Sequence, residues 1–243
     1  MALFGVTDLA AILHAMQIRH VQGLAGAATA HAATVVIDVF RAFSAAAYAF
    51  AAGAPEIVLV EDVYEAVATA ERFPGSILMG EVDGTKPTEF DLGNSPGEIV
   101  AQPELVRGRT IIHRSSAGTR SARTALGNGA HPLYVASLVV ASATAAALAG
   151  ESTVTLVSSG LSGTLPAEED DLCADVIARL LRGDKTGLER VGPTTATTER
   201  AQYLREATFA HPDDVRLCCD TDRFDFAMRA EEIEDLVRVS AIQ

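Results

Sequence analysis

Short apolar runs alternate with longer segments of helical periodicity along most of this chain. Runs such as Thr34–Val39 and Thr153–Val157 are rich in β-branched residues, which is typical of strands covered on both faces. Strands that alternate with helices indicate βαβ units, so we expect a three-layer α/β fold with a mostly parallel sheet and helices on both faces. The predicted strands are Met16–Val21, Thr34–Val39, Glu56–Val60, Ser76–Met79, Arg109–His113, Pro132–Ala136 and Thr153–Val157.

The segments between these strands have the periodicity of helices. The predicted helices are Leu9–Ala15, Ser44–Ala52, Tyr64–Phe73, Thr119–Leu126, Leu138–Ala149, Ala167–Arg182 and Glu199–Ala207. Thr194–Thr198 is interpreted as a linker, and the chain from Asp213 onward as a mixed acidic region. We expect a single α/β domain over residues 1–243, with residues 1–15 as an N-terminal addition and residues 199–243 packed on the same domain.

Composition excludes several classes of partner. Apolar residues make up 49% of the 243 residues, which is enough for a full core. A net charge of −13 argues against nucleic acid and anionic membranes as partners. No apolar run is long enough for a membrane span, and the N-terminal stretch lacks the basic region of a signal peptide. The three cysteines form no disulfide framework, so a reduced, cytoplasmic location is expected. The sequence leaves open whether the protein forms a homo-oligomer.

Five polar or glycine-rich clusters punctuate the chain, and most of them lie at or just after the end of a predicted strand. They are Asp38–Ala42, Gly80-Glu81, Asn94–Pro96, Ser115–Arg120 and Glu169–Ala174. In open α/β sheets, ligands bind beyond the carboxyl ends of the parallel strands. Acids, hydroxyls, glycines and arginines at one such edge predict a metal-dependent site for a small anion.

The first two clusters supply candidate ligands. A carboxylate as close to a buried strand as Asp38 is costly unless it is paired or bound to metal. Arg41 can bind phosphate or carboxylate through two hydrogen bonds, although a structural Asp38–Arg41 ion pair is the simpler alternative. Glu81 follows Gly80, which permits close approach of a ligand; the alternative is an exposed turn glutamate.

The next two clusters precede helices. Ser95 as N-cap, Pro96 at the first helical position and Glu98 three residues after the cap predict a capping box, which leaves Asn94 free to face the crevice. Around Gly118-Thr119, small residues and a helix start predict a cradle of N–H groups, with Arg120 adding positive charge. Ordinary turn chemistry would explain the same residues.

Helical spacing divides the acids at the start of Ala167–Arg182. Glu169 and Asp170 fall on the inward face with Cys173, whereas Glu168 and Asp171 fall outward. Acids in the first turn of a helix interact favourably with the helix dipole, which explains the outward-facing pair well but the inward-facing pair poorly. We therefore predict metal ligation or acid–base chemistry for Asp170, and a core position for Cys173.

Taken together and in order, these clusters resemble the 2-phosphosulfolactate phosphatase family. The resemblance covers roughly Thr34 to Arg182, and the tail from Asp213 to Asp220 is similar more weakly. Ala117 stands where the family often has asparagine. The resemblance rests on Val36–Ala42, Gly80-Glu81, Asp91–Pro96, Gly118–Arg120 and Glu169-Asp170 with Cys173-Ala174.

The resemblance implies a Mg²⁺-dependent phosphatase for phosphate esters of 2-hydroxy acids, tied to coenzyme M biosynthesis. The small phosphorylated anion would be 2-phosphosulfolactate or another phosphorylated acid. A non-catalytic binder of such acids is the alternative, and a structural subunit whose acids only cap helices is a third.

The expected roles are assigned residue by residue. Asp38, Arg41 and Asp170 are the expected catalytic residues, with Asp38 or Asp170 acting as base or nucleophile. The remaining roles are substrate binding by Arg41, Asn94, Ser95, Gly118, Thr119 and Arg120, and Mg²⁺ ligation by Asp38, Glu81 and Asp170.

Overall fold

A computed structural model describes residues 16–243; the helix predicted at Leu9–Ala15 lies outside them. Within the described residues, nine strands form one sheet in the order β1-β7-β2-β6-β8-β9-β3-β5-β4. The strands are β1 Gln17–Gln22, β2 Ala33–Ile37, β3 Ile57–Val60, β4 Ile77–Gly80, β5 Ile111–Arg114, β6 Leu133–Ala136, β7 Thr153–Ser158, β8 Ala227–Ile233 and β9 Leu236–Ile242.

Helices connect these strands. The helices are α1 Gly23–Ala27, α2 Ala42–Ala51, α3 Val63–Arg72, α4 Pro96–Ala101, α5 Gly118–Gly127, α6 Ala141–Ala147, α7 Glu168–Leu181, α8 Leu188–Thr195, α9 Glu199–Glu206 and α10 Asp214–Cys218. Short 3₁₀ turns at Pro103–Leu105 and Leu138–Val140 complete them. None of the helices between residues 16 and 243 has the length and apolar character needed to cross a membrane.

The sheet contains two parallel blocks. Strands β1, β7, β2 and β6 form one, and β3, β5 and β4 form the other. Residues of β2, β3 and β6 are buried along their whole length, so both faces of the sheet are covered. The predicted mostly parallel α/β fold is confirmed, as is the strand at the sheet edge near Met16–Val21.

An antiparallel hairpin, β8–β9, lies between the two blocks and pairs with β6 and β3. The sequence did not predict it, because its turn residues Glu234 and Asp235 lack the usual Asn-Gly signal. Both nevertheless adopt positive φ angles, 52° and 64°. The linker predicted at Thr194–Thr198 was also partly wrong, since α8 continues to Thr195.

The carboxyl ends of the two blocks meet at the start of α5. Three antiparallel pairings separate the blocks, so the strands of one block run opposite to those of the other. From β2 to β5 there are five steps from one strand to its neighbour, and the sheet twists at each step. Twist over five steps amounts to roughly 100–125°, which turns these ends toward each other. Helix α5 continues from β5 and packs on β2, β6 and β3. Gly118 at its start abuts Asp38, since a Cβ there would lie 2.7 Å from Asp38 Oδ2.

Candidate active site

A small polar cavity of about 170 Å³ opens where these strand ends meet. It is smaller than the roughly 300–1,000 Å³ of pockets that hold drug-sized ligands, so it suits a compact ligand. The loops after β2, β4, β5 and β7 form its wall together with α9. Its charged lining residues are Asp38, Arg41, Glu81, Asp83 and Arg200.

Asp38 lies at the floor of this pocket, directly after β2. Its side chain is 6% exposed, and Oδ1 accepts a hydrogen bond of 2.9 Å from the Ala42 N–H. Burial raises the pKa of Asp38 to about 6, and the nearby Glu81 carboxylate adds to the rise, against the opposing effect of the Ala42 and Gly118 N–H groups. Asp38 therefore titrates close to neutral pH, the range in which a general base is effective.

Glu81 faces the same pocket from the loop after β4. Its Oε1 accepts from the Ser116 N–H at 2.5 Å, and its Oε2 accepts from the Gly84 N–H at 2.6 Å and from Ser116 Oγ at 3.1 Å. Gly80 is required before it, because a Cβ would come within 1.9 Å of the Arg114 carbonyl oxygen. The buried Glu81 is therefore held in place, unlike the exposed turn glutamate of the alternative reading.

Arg41 pairs with Asp214, not with Asp38. Its Nη1 donates to Asp214 Oδ2 at 2.7 Å, and the two side chains are 4% and 0% exposed. The other Asp214 oxygen accepts from Ser95 Oγ at 2.6 Å and from the Gly97 N–H at 3.0 Å. Asp214 thus joins the loops after β2 and β4, and the alternative of an Asp38–Arg41 pair is wrong. No local signal marks Asp214, which is 173 residues from Arg41.

Ser95 caps α4 as predicted, with its Oγ accepting from the Glu98 N–H at 3.1 Å. The second half of the predicted capping box is wrong, because the Glu98 carboxylate accepts from the Gly93 N–H at 2.7 Å instead. Ser95 Oγ is occupied by these contacts and by Asp214, so it acts on the pocket indirectly.

Asn94 lines the pocket beside a buried histidine. Its Oδ1 lies 3.0 Å from Nε2 of His113, which is fully buried. Burial lowers the pKa of His113 to about 3, so the neutral ring donates its Nε2–H to Asn94. With its oxygen occupied, Asn94 presents its amide N–H groups to a ligand.

Asp170 lies beneath the pocket and outside its wall. It is buried on the inward face of α7 with Glu169, as helical spacing predicted, while Glu168 is exposed. Its Oδ1 accepts from the Val39 N–H at 2.8 Å and its Oδ2 from the Gly160 N–H at 2.9 Å. Asp170 therefore connects the loops after β2 and β7, and its contact with the pocket runs through them.

Two other expected substrate-binding side chains also lie off the pocket wall. The Thr119 hydroxyl accepts a hydrogen bond of 2.9 Å from the Ser115 N–H, and the Thr119 N–H donates one of 2.9 Å to the Ser115 hydroxyl. The Thr119 side chain is therefore occupied within its own turn. Arg120 points toward Glu61, with Nε 3.8 Å from Oε1. Gly118 is adjacent to Asp38, as described above. The pocket arginine that the sequence did not suggest is Arg200, at the start of α9.

The carboxylates of this pocket are compatible with Mg²⁺. Across residues 16–243, no three His, Cys, Asp or Glu side chains gather closely enough to coordinate a metal by themselves. Mg²⁺ is commonly bound by one or two carboxylates, with waters and substrate phosphate filling the other positions. Asp38 and Glu81 share the pocket, and the Glu81 carboxylate contributes to the raised pKa of Asp38; a divalent cation between them would offset this repulsion.

The fold and this site define an α/β protein with a compact polar pocket lined by carboxylates and arginines. A profile of the 2-phosphosulpholactate phosphatase family matches residues 20–232. The chain is 31% identical to a probable 2-phosphosulfolactate phosphatase of Bacillus subtilis, over 82% of this chain and 86% of the relative. One from Parasynechococcus marenigrum is 33% identical over 79% and 86%, respectively.

A third similar protein, from Thermosynechococcus vestitus, is 34% identical over 71% of this chain and 72% of its own. It too is named a probable 2-phosphosulfolactate phosphatase. The chain belongs to the 2-phosphosulpholactate phosphatase family. It is accordingly a phosphatase, a phosphoric monoester hydrolase, and the resemblance found in the sequence is confirmed.

Proposed function

We propose that this phosphatase requires Mg²⁺ and hydrolyses the phosphate ester of a 2-hydroxy acid, with 2-phosphosulfolactate giving sulfolactate and phosphate. One observation carries the proposal: the Asp38 and Glu81 carboxylates share a small pocket with the Arg41 guanidinium. That combination provides ligands for a cation and a donor for an anion in a space suited to a compact substrate.

The residues divide the work of hydrolysis. Asp38 and Glu81 would hold Mg²⁺, which supplies positive charge against the phosphoryl oxygens and orients water. The Asp38 carboxylate accepts a proton from the attacking water, whose oxygen forms the new bond to phosphorus. The ester P–O bond breaks, and the alcohol oxygen of the 2-hydroxy acid leaves and takes up a proton from solvent, to which Asp38 returns the proton that it accepted. Arg41 and the amide of Asn94 hold the substrate oxygens in line.

Asp170 contributes by position. Because its two oxygens hold the Val39 and Gly160 N–H groups, it sets the distance between two loops of the pocket wall. Sulfolactate as product would place the enzyme in coenzyme M biosynthesis, and the unpaired cysteines favour a cytoplasmic location.

The test is phosphate release from phosphosulfolactate, phospholactate, phosphoglycolate and p-nitrophenyl phosphate, each with Mg²⁺ and with EDTA. We expect release that needs Mg²⁺ and is fastest for a 2-phospho acid. Equal release in EDTA would refute the metal requirement. No release from any of the four by folded protein with Mg²⁺ would instead favour a non-catalytic binder of such acids.

A further inference from the structure

Arg200 supplies a positive charge to the pocket from a part of the chain far from the motifs. It is the second residue of α9 and lines the cavity together with residues of the loops after β2 and β4. Its charge lowers the pKa of both Asp38 and Glu169, although burial raises both overall, so it lies near these two carboxyl groups. Arg200 thus faces the space that a substrate would enter.

Arg200 differs from Arg41 in having no ion-pair partner. Arg41 is neutralised by the buried Asp214 at 2.7 Å. For Arg200, no carboxylate oxygen of residues 16–243 lies within the 4.0 Å of an ion pair. Three carboxylates line the pocket, and Arg200 is the one lining guanidinium in the described part of the chain that has no carboxylate partner. Its charge is therefore available to an anion.

The guanidinium of Arg200 also lies over an aromatic ring. Its Cζ lies 4.9 Å from the ring centroid of Tyr203, one helical turn further along α9. Its Nε is buried and lacks a hydrogen-bond partner among the described residues. A stacked guanidinium keeps its edge nitrogens free, and this edge matches the two oxygens of a carboxylate or sulfonate.

We propose that Arg200 binds the second acidic group of the substrate, a carboxylate or sulfonate, and so selects phosphorylated acids over simple phosphate esters. The inference rests on the proposed function and adds the residue that recognises the acid group of the leaving alcohol. The phosphoryl group would lie at Arg41, Asn94 and the carboxylate-held metal, and the acid group at Arg200.

The test compares two substrates of matched shape, 2-phospholactate and isopropyl phosphate, in which a methyl group replaces the carboxylate. In Arg200→Gln, we expect kcat/KM for phospholactate to fall about ten- to a hundredfold, the value of a charge-assisted hydrogen bond. The value for isopropyl phosphate should change by less than about threefold, as such a bond is absent there. Arg205→Gln is the matched control, since Arg205 is exposed on the same helix and bonds the Ala196 carbonyl.

Other outcomes would overturn the inference. An equal loss for both substrates would assign Arg200 to the phosphoryl group, and no loss for either would remove it from the site. A second measurement separates this inference from the proposed function: calorimetric binding of sulfolactate, which carries no phosphate. Weaker binding by Arg200→Gln than by wild type would support the inference even if no substrate were hydrolysed, and equal binding would refute it.

Discussion

Asp214 shows how a single buried residue organises the pocket from a distance. It is fully buried and accepts hydrogen bonds from Arg41, Ser95 and backbone N–H groups, including that of His211 at 3.0 Å. A buried guanidinium without a counter-charge is costly, so the position of Arg41 depends on Asp214. The Asp214 carboxylate is therefore a positioning group for the loop that also carries Asp38.

Removing that counter-charge should destabilise the protein strongly. We expect Asp214→Asn to lower the free energy of unfolding by about 3–5 kcal/mol, because it leaves Arg41 buried and unpaired. Asp213→Asn is the control, since Asp213 pairs with Arg216 at the surface, where such pairs contribute at most about 1 kcal/mol. Urea unfolding of both variants checks this, and equal effects would show that the buried pair is not special.

Asp170 should affect turnover more than folding. In Asp170→Asn an NH₂ group replaces one oxygen, so either the Val39 or the Gly160 N–H loses its acceptor. Displacing a pocket loop by about 1 Å can cost about 100-fold in rate, so we expect most phosphatase activity to be lost with the circular dichroism spectrum preserved. Asp171→Asn, which loses a contact to Gln22 at the sheet edge, should stay active. Near-normal activity of Asp170→Asn would show that these two hydrogen bonds do not position the pocket loops.

The titration of Asp38 gives a pH and metal dependence. Its pKa is raised from 3.8 to about 6 in the folded protein. Its contribution to stability is therefore full below about pH 3.8 and is lost as the pH rises through about 6. In EDTA, the unfolding free energy of wild type should fall relative to that of Asp38→Asn between pH 4 and pH 7.

Adding Mg²⁺ at pH 7 should reverse that loss in wild type but not in Asp38→Asn, because the cation would bind the ionised carboxylate. Urea titrations of both proteins with and without Mg²⁺ measure this. A wild-type midpoint that ignores Mg²⁺ at pH 7 would argue against Asp38 as a metal ligand.

At the scale of elements, the start of α5 depends on a glycine. A Cβ on residue 118 would lie 2.7 Å from Asp38 Oδ2 and 3.1 Å from the Ala42 Cβ. We expect Gly118→Ala to displace Asp38, to cost about 1–3 kcal/mol through overpacking and to reduce activity at least about tenfold. Phosphate release and urea unfolding measure the two effects.

The matched control lies in the same helix. Gly127 has no atom within 4 Å of its Cβ position, so Gly127→Ala should keep activity and stabilise the helix by about 0.5–1 kcal/mol. If both alanine variants retained full activity, the contact between α5 and Asp38 would not matter for the chemistry.

Elements with a strong local pattern were predicted from the sequence. The apolar run of β2 and the inward acids of α7 follow from burial and helical spacing, and both are observed. Asp214 could not be inferred in this way, because its partner Arg41 is 173 residues away, and Arg200 could not because α9 has no motif and reaches the pocket only in the folded chain. Local periodicity therefore locates the strand ends, whereas the charge balance of the pocket depends on tertiary structure.

The whole molecule depends on a hairpin that the sequence pattern did not reveal. Within the described residues, the hydrogen-bonded connection between the two parallel blocks runs through β8 and β9. Residues of both blocks form the pocket, with Asp38 in one and Glu81 in the other. The strength of this hairpin should therefore influence the stability of the entire sheet. It should also influence the pocket, because neither half of the pocket is complete without the other.

The turn of the hairpin offers a direct test at this scale. Glu234 and Asp235 hold positive φ angles that cost non-glycine residues roughly 1–2 kcal/mol each, and an Asn-Gly pair adopts them readily. The exposed ion pairs of these residues with Arg238 and Arg72 contribute little. We expect the double variant Glu234→Asn, Asp235→Gly to raise the unfolding free energy by about 1–2 kcal/mol, with a single transition and an unchanged urea slope.

Circular dichroism and phosphatase activity should be followed through the same urea titration. Coincident curves, shifted together to higher urea in the variant, would show that the hairpin couples the two blocks into one cooperative unit. Activity lost well before the secondary structure, at a midpoint that the variant leaves unmoved, would show instead that the blocks separate without unfolding the hairpin. The pocket would then open by movement of one block against the other.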